Sequence, residues 1–240
     1  METIGRPDIA AHMVEYEKGA QFITGPVDAV ICDPPYGARC HTGNDTKIAG
    51  RITPIAYKPW GAEDVARFVD YWDSITRGWI VSMTSHDLIP AWEEAHRAAG
   101  RYVFHPIPYV HAGMSCRMRG DGPSSWAVWI MVARPRTREM AKWGTLPGAY
   151  VLPPGRDDRA KAVIGSKPTW IMRSLVRDYS RPGDLVCDPT AGSGTTLVAC
   201  AAEGRRAVGF EPDLTRFQIM ERRIGNAEGP KEKSQIALFQ

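Results

Sequence analysis

The chain has 240 residues, 43% of them hydrophobic, with a formal net charge of +3 and five cysteines. That length can bury a sizeable core as one α/β domain without disulfides or a structural metal. No run approaches the roughly 18 apolar residues of a membrane span. The start, METIGRPDIAAHMVEYEKG, has early acids and no long apolar core, so no secretion signal is expected. Cys32, Cys40, Cys116, Cys187 and Cys200 match no zinc spacing. Cys32, Cys187 and Cys200 sit in apolar runs as small buried hydrophobes, and a reducing, cytoplasmic setting is expected.

In chain order, VDAVIC is a short β-rich run that Asp-Pro-Pro halts, because proline cannot continue a ladder. Asp33 is therefore predicted at the carboxyl end of a strand. From Gly37 to Pro59 the chain is polar and aperiodic, a long loop of the kind that serves as a lid or binding element. Val65, Phe68, Val69 and Trp72 recur at helical spacing and predict a helix over about 62–77. WIVSM at 79–83 is a compact strand, followed by a helix over about 88–99 that Gly100 stops. Residues 102–111 read as extended. WAVWIMVA at 126–133, the most hydrophobic run, is predicted as a central strand. Residues 134–168 then change character, with five prolines and little periodicity, as an insertion or small recognition subdomain would.

Helix returns over about 169–179, and DLVCD at 184–188 is a buried-strand pattern. The turn PTAGSG leads into the helical TTLVACAAEG, RAVGFE at 206–211 is the next strand, and a helix over about 214–224 precedes a polar tail. Strand, helix and strand from Leu185 to Glu211 make a βαβ unit, which implies a parallel sheet. Between Arg101 and Lys142, seven cations (Arg101, Arg117, Arg119, Arg134, Arg136, Arg138, Lys142) stand against two acids, Asp121 and Glu139. Such a stretch suits phosphates, and suits an ordinary solvated face equally well.

DPTAGSGTT at 188–196 reads as a cofactor cradle. Gly192 and Gly194 let the backbone turn sharply and approach a ligand, and Thr195 and Thr196 enter a helix whose first N–H groups are free. Glu211 ends the next strand, where an acid can accept both hydroxyl hydrogens of a ribose. The turn is short of a full G-x-G-x-x-G and carries no Gly-Lys-Thr, which argues against a triphosphate-binding loop.

DPPY at 33–36 has its own chemistry. An exocyclic aromatic amine is a poor nucleophile, its lone pair being delocalised into the ring. Asp33 accepting one N–H and the Pro34 carbonyl the other would draw the amine toward tetrahedral geometry. Pro34 and Pro35 hold those acceptors with little backbone freedom, and Tyr36 can stack on the base. The alternative is a rigid turn after an edge strand, with Tyr36 filling space. Ser85-His86-Asp87 invites a hydrolytic triad, but adjacent loop residues seldom converge in those roles, so this loop is expected to line the pocket. His105 and His111 lack a third ligand at metal spacing, so no metal is expected. Trp126, Trp129 and Trp170 are expected in the core rather than as stacking platforms.

DPPY and DPTAGSGTT together resemble the amino-methylating family of DNA methyltransferases, the N6-adenine and N4-cytosine enzymes. Thr190 stands where the family usually has phenylalanine. GSKPTWIMRSLV at 165–176 resembles the family's lysine-proline cofactor segment, with Lys167 and Pro168 at the matching places. The order of the three segments resembles the permuted β group. The resemblance implies an α/β, three-layer Rossmann-like S-adenosylmethionine-dependent methyltransferase fold. Its mostly parallel seven-stranded sheet would have one antiparallel strand, here 126–133. It implies S-adenosyl-L-methionine held by Lys167, Pro168, Asp188, Pro189, Thr190, Ala191, Gly192, Ser193, Gly194, Thr195, Thr196 and Glu211. Asp33, Pro34, Pro35 and Tyr36 would be catalytic, acting on a base flipped from double-stranded DNA.

An aspartate at the first position favours adenine N6, with cytosine N4 as the alternative. Ring-carbon methylation is disfavoured, since no Pro-Cys occurs. RNA or protein amines are disfavoured by the permuted order, and a non-catalytic DNA-binding protein by the intact motif residues. Residues 1–240 are expected to form one catalytic domain, with a short recognition insertion at about 134–164. Arg39, Lys47, Arg51, Lys58, Arg134, Arg136, Arg138 and Lys142 are the candidate DNA contacts. So short a recognition region also allows a homodimer, and a bacterial or phage-encoded cytoplasmic enzyme is the expected setting.

Overall fold

Val27–Cys32 forms the strand that its apolar run predicts, here β3, and it lies at the centre of a single sheet. The computed structural model describes residues 3–43, 57–112, 125–157 and 165–230. An N-terminal hairpin, β1 (Thr3–Arg6) and β2 (Ile9–His12), and a 3-10 helix (Tyr16–Phe22) precede β3. After it come α1 (Ala38–Gly43), α2 (Ala62–Asp73), β4 (Thr76–Thr84) and α3 (Ile89–Ala98). The middle of the chain supplies β5 (Tyr102–Val103), β6 (Ile107–Val110), β7 (Ala127–Arg134) and β8 (Tyr150–Val151). The last part alternates: α4 (Thr169–Tyr179), β9 (Leu185–Asp188), α5 (Thr195–Glu203), β10 (Arg206–Phe210) and α6 (Leu214–Gly225).

Among the described residues ten strands form one sheet, in the order β1-β2-β10-β9-β3-β4-β7-β6-β8, with β5 beside β7. The run from β2 to β4 is wholly parallel, so β10, β9, β3 and β4 all end at one carboxyl edge. β7 runs against β4, as expected for 126–133, and β1 is the other strand opposed to the rest. The sheet is therefore wider than the seven strands expected. Four short strands flank six others: the hairpin β1–β2 at one side and the two-residue β5 and β8 at the other. None of these carries a strong local signal; β2 is only IAAH, held by its ladder to β10.

Alternation along the strands sorts the core into two layers. Ala29, Ile31, Val81 and Met83 face Ile171, Leu175, Leu197 and Phe217 of α4, α5 and α6. Val30, Cys32 and Ile80 face Val65, Phe68, Trp72 and Trp92 of α2 and α3. The result is helices on both faces of the sheet, the architecture expected of a βαβ chain. The helix predicted to reach residue 77 ends at Asp73, where the Thr76 hydroxyl donates to the Trp72 carbonyl at 2.6 Å and β4 begins. At Gly78, β3 and β4 come so close that a Cβ would lie 2.0 Å from the Asp28 carbonyl oxygen. No helix among the described residues is long and apolar enough to cross a membrane.

Two aromatic residues within 134–157 pack back against the body of the sheet and α4. Trp143 packs edge-on against Trp79 and donates its indole N–H to the Asp178 carbonyl at 2.8 Å. Tyr150, buried in β8, donates to the Asp178 carboxylate at 2.6 Å. Trp143 and Tyr150 thus tie this stretch to α4 and β6. Residues 158–164 lie outside the described residues.

Candidate active site

β3 and β9 are neighbours, so the two motifs that follow them emerge side by side at the carboxyl edge. Asp33 follows β3 directly. Its Oδ1 accepts the Tyr36 hydroxyl at 2.8 Å and its Oδ2 accepts the Lys167 ammonium at 2.5 Å. Lys167 also donates to the Gly165 carbonyl at 3.1 Å, and its Nζ lies 5.0 Å from the centre of the Tyr36 ring. Residues 134 positions apart are thus joined in one cluster. Burial, and then the charge of Asp33, hold the Tyr36 hydroxyl well above its ordinary value, so it is a neutral donor here. Pro34 and Pro35 carry the chain from Asp33 to Tyr36 with no cis peptide bond.

Ser85, at the end of β4, supports this corner from the other side. Its hydroxyl accepts the Gly37 N–H at 2.9 Å. His86–Leu88, directly after Ser85, forms a 3-10 turn. The chain leaving Tyr36 returns beside it, with the Trp60 N–H donating to the Tyr36 carbonyl at 3.1 Å. Within the predicted long loop, Ala38–Gly43 is in fact a short helix. Tyr57 comes back to the same region. Its hydroxyl is pushed up to about 12 by burial and then by Asp33, against the pull of Arg216, whose guanidinium lies 5.3 Å from its ring.

The glycine-rich turn is built as predicted. Asp188 ends β9, and its Oδ1 accepts the Thr190 N–H at 3.0 Å. Gly192 and Gly194 have φ of 53° and 78°, a left-handed backbone that favours glycine. At Gly194 a Cβ would also meet Met220 Cγ at 2.6 Å, so the turn lies tight against α6. Pro189, Ala191, Ser193, Thr195 and Thr196 complete the passage into α5, whose first residue is Thr195. Burial raises the Asp188 carboxyl to about 7, against hydrogen bonds from Thr196 and the Thr190 N–H.

Glu211 stands just beyond β10, 4% exposed. Burial raises its carboxyl, opposed by the N–H groups of Asp213, at 2.9 Å, and Gly192. The pocket between these groups fits a nucleoside cofactor on two observations. Thr190 Oγ1 is buried with no hydrogen-bond partner, and Glu211 is a buried acceptor held by the N–H groups of Asp213 and Gly192. Ser166, next to Lys167 and Pro168, brings its hydroxyl 3.4 Å from that of Ser193, so the lysine-proline segment closes onto the same turn.

Arg223 was missed by sequence reasoning. From α6 its Nη1 donates to the Ser193 carbonyl at 2.7 Å, the Ser193 hydroxyl at 2.8 Å and the Thr195 hydroxyl at 2.9 Å, bracing the turn from behind. The only local signal is one arginine of a pair, Arg222-Arg223, on an amphipathic helix.

The candidate DNA contacts divide. Arg39, in α1, and Lys58, two residues before Trp60, are exposed near the Asp33 corner. Lys47 and Arg51 lie outside the described residues. Arg134, Arg136, Arg138 and Lys142 are not brought to the pocket. Because β7 runs antiparallel to β4, Trp129 pairs with Thr84 near the carboxyl edge while Ala133 pairs with Ile80 toward the amino edge. Arg134 therefore ends at the opposite edge, roughly 17 Å of strand away at about 3.4 Å per residue. There Arg134 and Arg136 lie over the Tyr102 ring at 4.8 and 5.4 Å. Arg101 is buried, donating to the Gly78 carbonyl at 2.6 Å and the Thr76 carbonyl at 2.8 Å and pairing with Asp73. It is a structural cation. Trp126, expected in the core, is 50% exposed, whereas Trp129 and Trp170 are half-buried. His111 pairs with Asp157 at 3.6 Å, and among the described residues no three His, Cys, Asp or Glu side chains gather as metal ligands.

Residues 127–222 match a family model for DNA methylases of the N6/N4 class. The match takes in Lys167, the glycine-rich turn and Glu211; Asp33 lies ahead of it. The resemblance to amino-methylating DNA methyltransferases therefore holds. The chain is 44% identical over 50 residues to the type II methyltransferase M.MthZI of Methanothermobacter thermautotrophicus, covering 21% of this chain and 14% of that protein. It is 36% identical over 58 residues to the DNA adenine methyltransferase YhdJ of Escherichia coli, covering 24% and 20%. The aligned stretches thus span a fifth or less of these two relatives' length. The structure superposes on the M1.HpyAVI–SAM complex with a TM-score of 0.67 at 18% identity, over 90% of this chain and 99% of that one. For the cytosine-N4-specific PvuII DNA methyltransferase the TM-score is 0.61 at 13% identity, over 93% and 95%. The fold is that of the DNA methyltransferases.

Proposed function

We propose that this chain, proceeding from that family resemblance and fold, methylates an exocyclic amine of a DNA base, with S-adenosyl-L-methionine as methyl donor. The observation that carries the proposal is the meeting of Asp33, Tyr36 and Lys167 beside the cradle of Asp188, Gly192, Gly194 and Glu211. Glu211 would accept the ribose hydroxyls, and Thr190 Oγ1 and the turn's backbone would face the nucleoside. Lys167, Pro168 and the Pro189–Thr196 turn would close round the rest. Bound there, the cofactor supplies an electrophilic methyl on sulfur.

The work of this chain is on the amine. Asp33 accepts one N–H and the Pro34 carbonyl the other, which turns the lone pair out of the ring plane. Tyr36 stacks on the base and, through its hydrogen bond, keeps Asp33 oriented. After transfer the nitrogen carries one proton too many, and Asp33 is placed to take it or pass it to solvent. A base must leave the duplex to reach this corner, so flipping is part of the proposal. Arg39 and Lys58, on the same edge, would hold phosphates.

Adenine N6 is the preferred acceptor, because aspartate rather than serine stands at position 33. The test is direct. Unmethylated bacterial DNA is incubated with isotope-labelled S-adenosylmethionine, digested to nucleosides and examined by mass spectrometry. Labelled N6-methyladenine is the expected product. Labelled N4-methylcytosine would keep the chemistry and overturn the choice of base, and an unlabelled digest alongside tight cofactor binding would overturn DNA methylation.

A further inference from the structure

Lys167 stands where a substrate would have to be. A base presenting its amine to Asp33 needs a carboxylate oxygen at hydrogen-bond distance and the face of Tyr36 to lie on. In this structure the Lys167 ammonium takes the first at 2.5 Å and lies over the second at 5.0 Å from the ring centre. The other carboxylate oxygen is taken by the Tyr36 hydroxyl at 2.8 Å. An ammonium and an exocyclic amine are both N–H donors of similar reach, so the lysine is a tethered stand-in for the amine. The pair is mostly buried, with side chains 12% and 24% exposed, so neither charge can leave without another partner.

That partner must be anionic and within a lysine's sweep. The neighbouring Ser166 already touches Ser193 in the turn. A cofactor lying in the cradle carries an α-carboxylate on its amino-acid end. We infer that Lys167 is a positioning residue that exchanges partners: it occupies Asp33 in the ligand-free enzyme and moves to the cofactor's carboxylate when the cradle fills, freeing Asp33 and the Tyr36 face for the base. This rests on the methyltransferase reading above and adds an order to it, cofactor before base. The lysine's swing is the coupling between the two halves of the pocket.

Cofactor affinity alone tests the exchange, with no need of the DNA site. Two ligands are titrated calorimetrically: S-adenosylhomocysteine, which has the α-carboxylate, and 5′-methylthioadenosine, which lacks it. Asp33→Asn releases the lysine from its resting partner and should tighten S-adenosylhomocysteine about fivefold to tenfold. Lys167→Met should weaken it about tenfold, and Lys167→Arg, which keeps the charge, should recover most of that loss. In the Lys167→Met background, Asp33→Asn should move the affinity less than twofold. All five proteins, the unaltered one included, should bind 5′-methylthioadenosine within about twofold of one another, magnitudes in the usual range for coupled sites.

The inference is overturned if Asp33→Asn tightens S-adenosylhomocysteine equally with and without the lysine. That result would reveal simple relief of charge repulsion. It is also overturned if 5′-methylthioadenosine follows the same pattern, or if Lys167→Met loses both ligands, since the lysine would then only hold the fold. If the unaltered protein binds neither ligand, the cofactor reading itself fails, and the exchange with it.

Discussion

Burial gives Asp188 and His96 opposite dependences on pH. The Asp188 carboxyl titrates near 7 when folded, against 3.8 as a free group, so the folded state holds its proton more tightly than the unfolded one. Stability is therefore lost as pH rises from about 4 to 7, by up to roughly 4 kcal/mol. Asp188→Asn keeps an acceptor for the Thr190 N–H and is expected to raise the melting temperature at pH 8 while flattening that decline. An unchanged decline in thermal melts across pH 4–8 would contradict it. His96 is fully buried with neither ring nitrogen hydrogen-bonded, and burial, then Arg101, lower it from 6.5 to about 3. Its neutral form is favoured in the fold, so its contribution is lost as pH falls below about 6.5. His96→Leu removes that loss and leaves no orphaned nitrogen, so its gain in melting temperature should be larger at pH 5 than at pH 8. Asp33 was legible in the sequence because two prolines stop a strand beside it. His96 was not, because whether a helical histidine faces the core depends on packing that local pattern leaves open.

The elements that carry the pocket were legible where the signal is local. β3, β9 and α5 each announce themselves by an apolar run, a proline or a glycine turn, and the structure places them as the βαβ rule requires. The hairpin β1–β2 escaped notice because IAAH acquires its strand character from the ladder to β10. Arg223 escaped for a similar reason: 30 residues separate it from Ser193, and only the docking of α6 makes it a brace. Arg223→Ala is expected to weaken S-adenosylhomocysteine binding by about tenfold, since three charge-assisted bonds to the turn are lost. Its melting temperature should fall by only a few degrees. Full affinity in calorimetry would mean that the turn holds its shape without the arginine. β4 and β3 meet without room for a side chain at Gly78, so Gly78→Ala should destabilise by more than about 2 kcal/mol in urea unfolding.

The chain as a whole presents two different ends. Asp33, Lys167, Glu211, Arg39 and Lys58 gather at the carboxyl edge of the sheet, whereas Arg134 and Arg136 lie at the amino edge over Tyr102. Charge counting along the sequence could not separate these, because the direction of β7 decides which end a basic stretch reaches. If the duplex docks at the carboxyl edge, Lys58→Ala should reduce the salt slope of DNA binding by about one. The double change of Arg134 and Arg136 to alanine should then move DNA affinity less than twofold. The reverse pattern in a salt titration would put the duplex at the wrong edge for Asp33.

The decisive measurement is single-turnover methyl transfer to DNA by the unaltered protein and by Asp33→Ala, with cofactor affinity measured on both. Transfer to an exocyclic amine that falls at least a hundredfold in Asp33→Ala, with cofactor binding retained, is the expected result. Transfer that survives in the variant would mean that the Asp33 corner is not where the amine is activated.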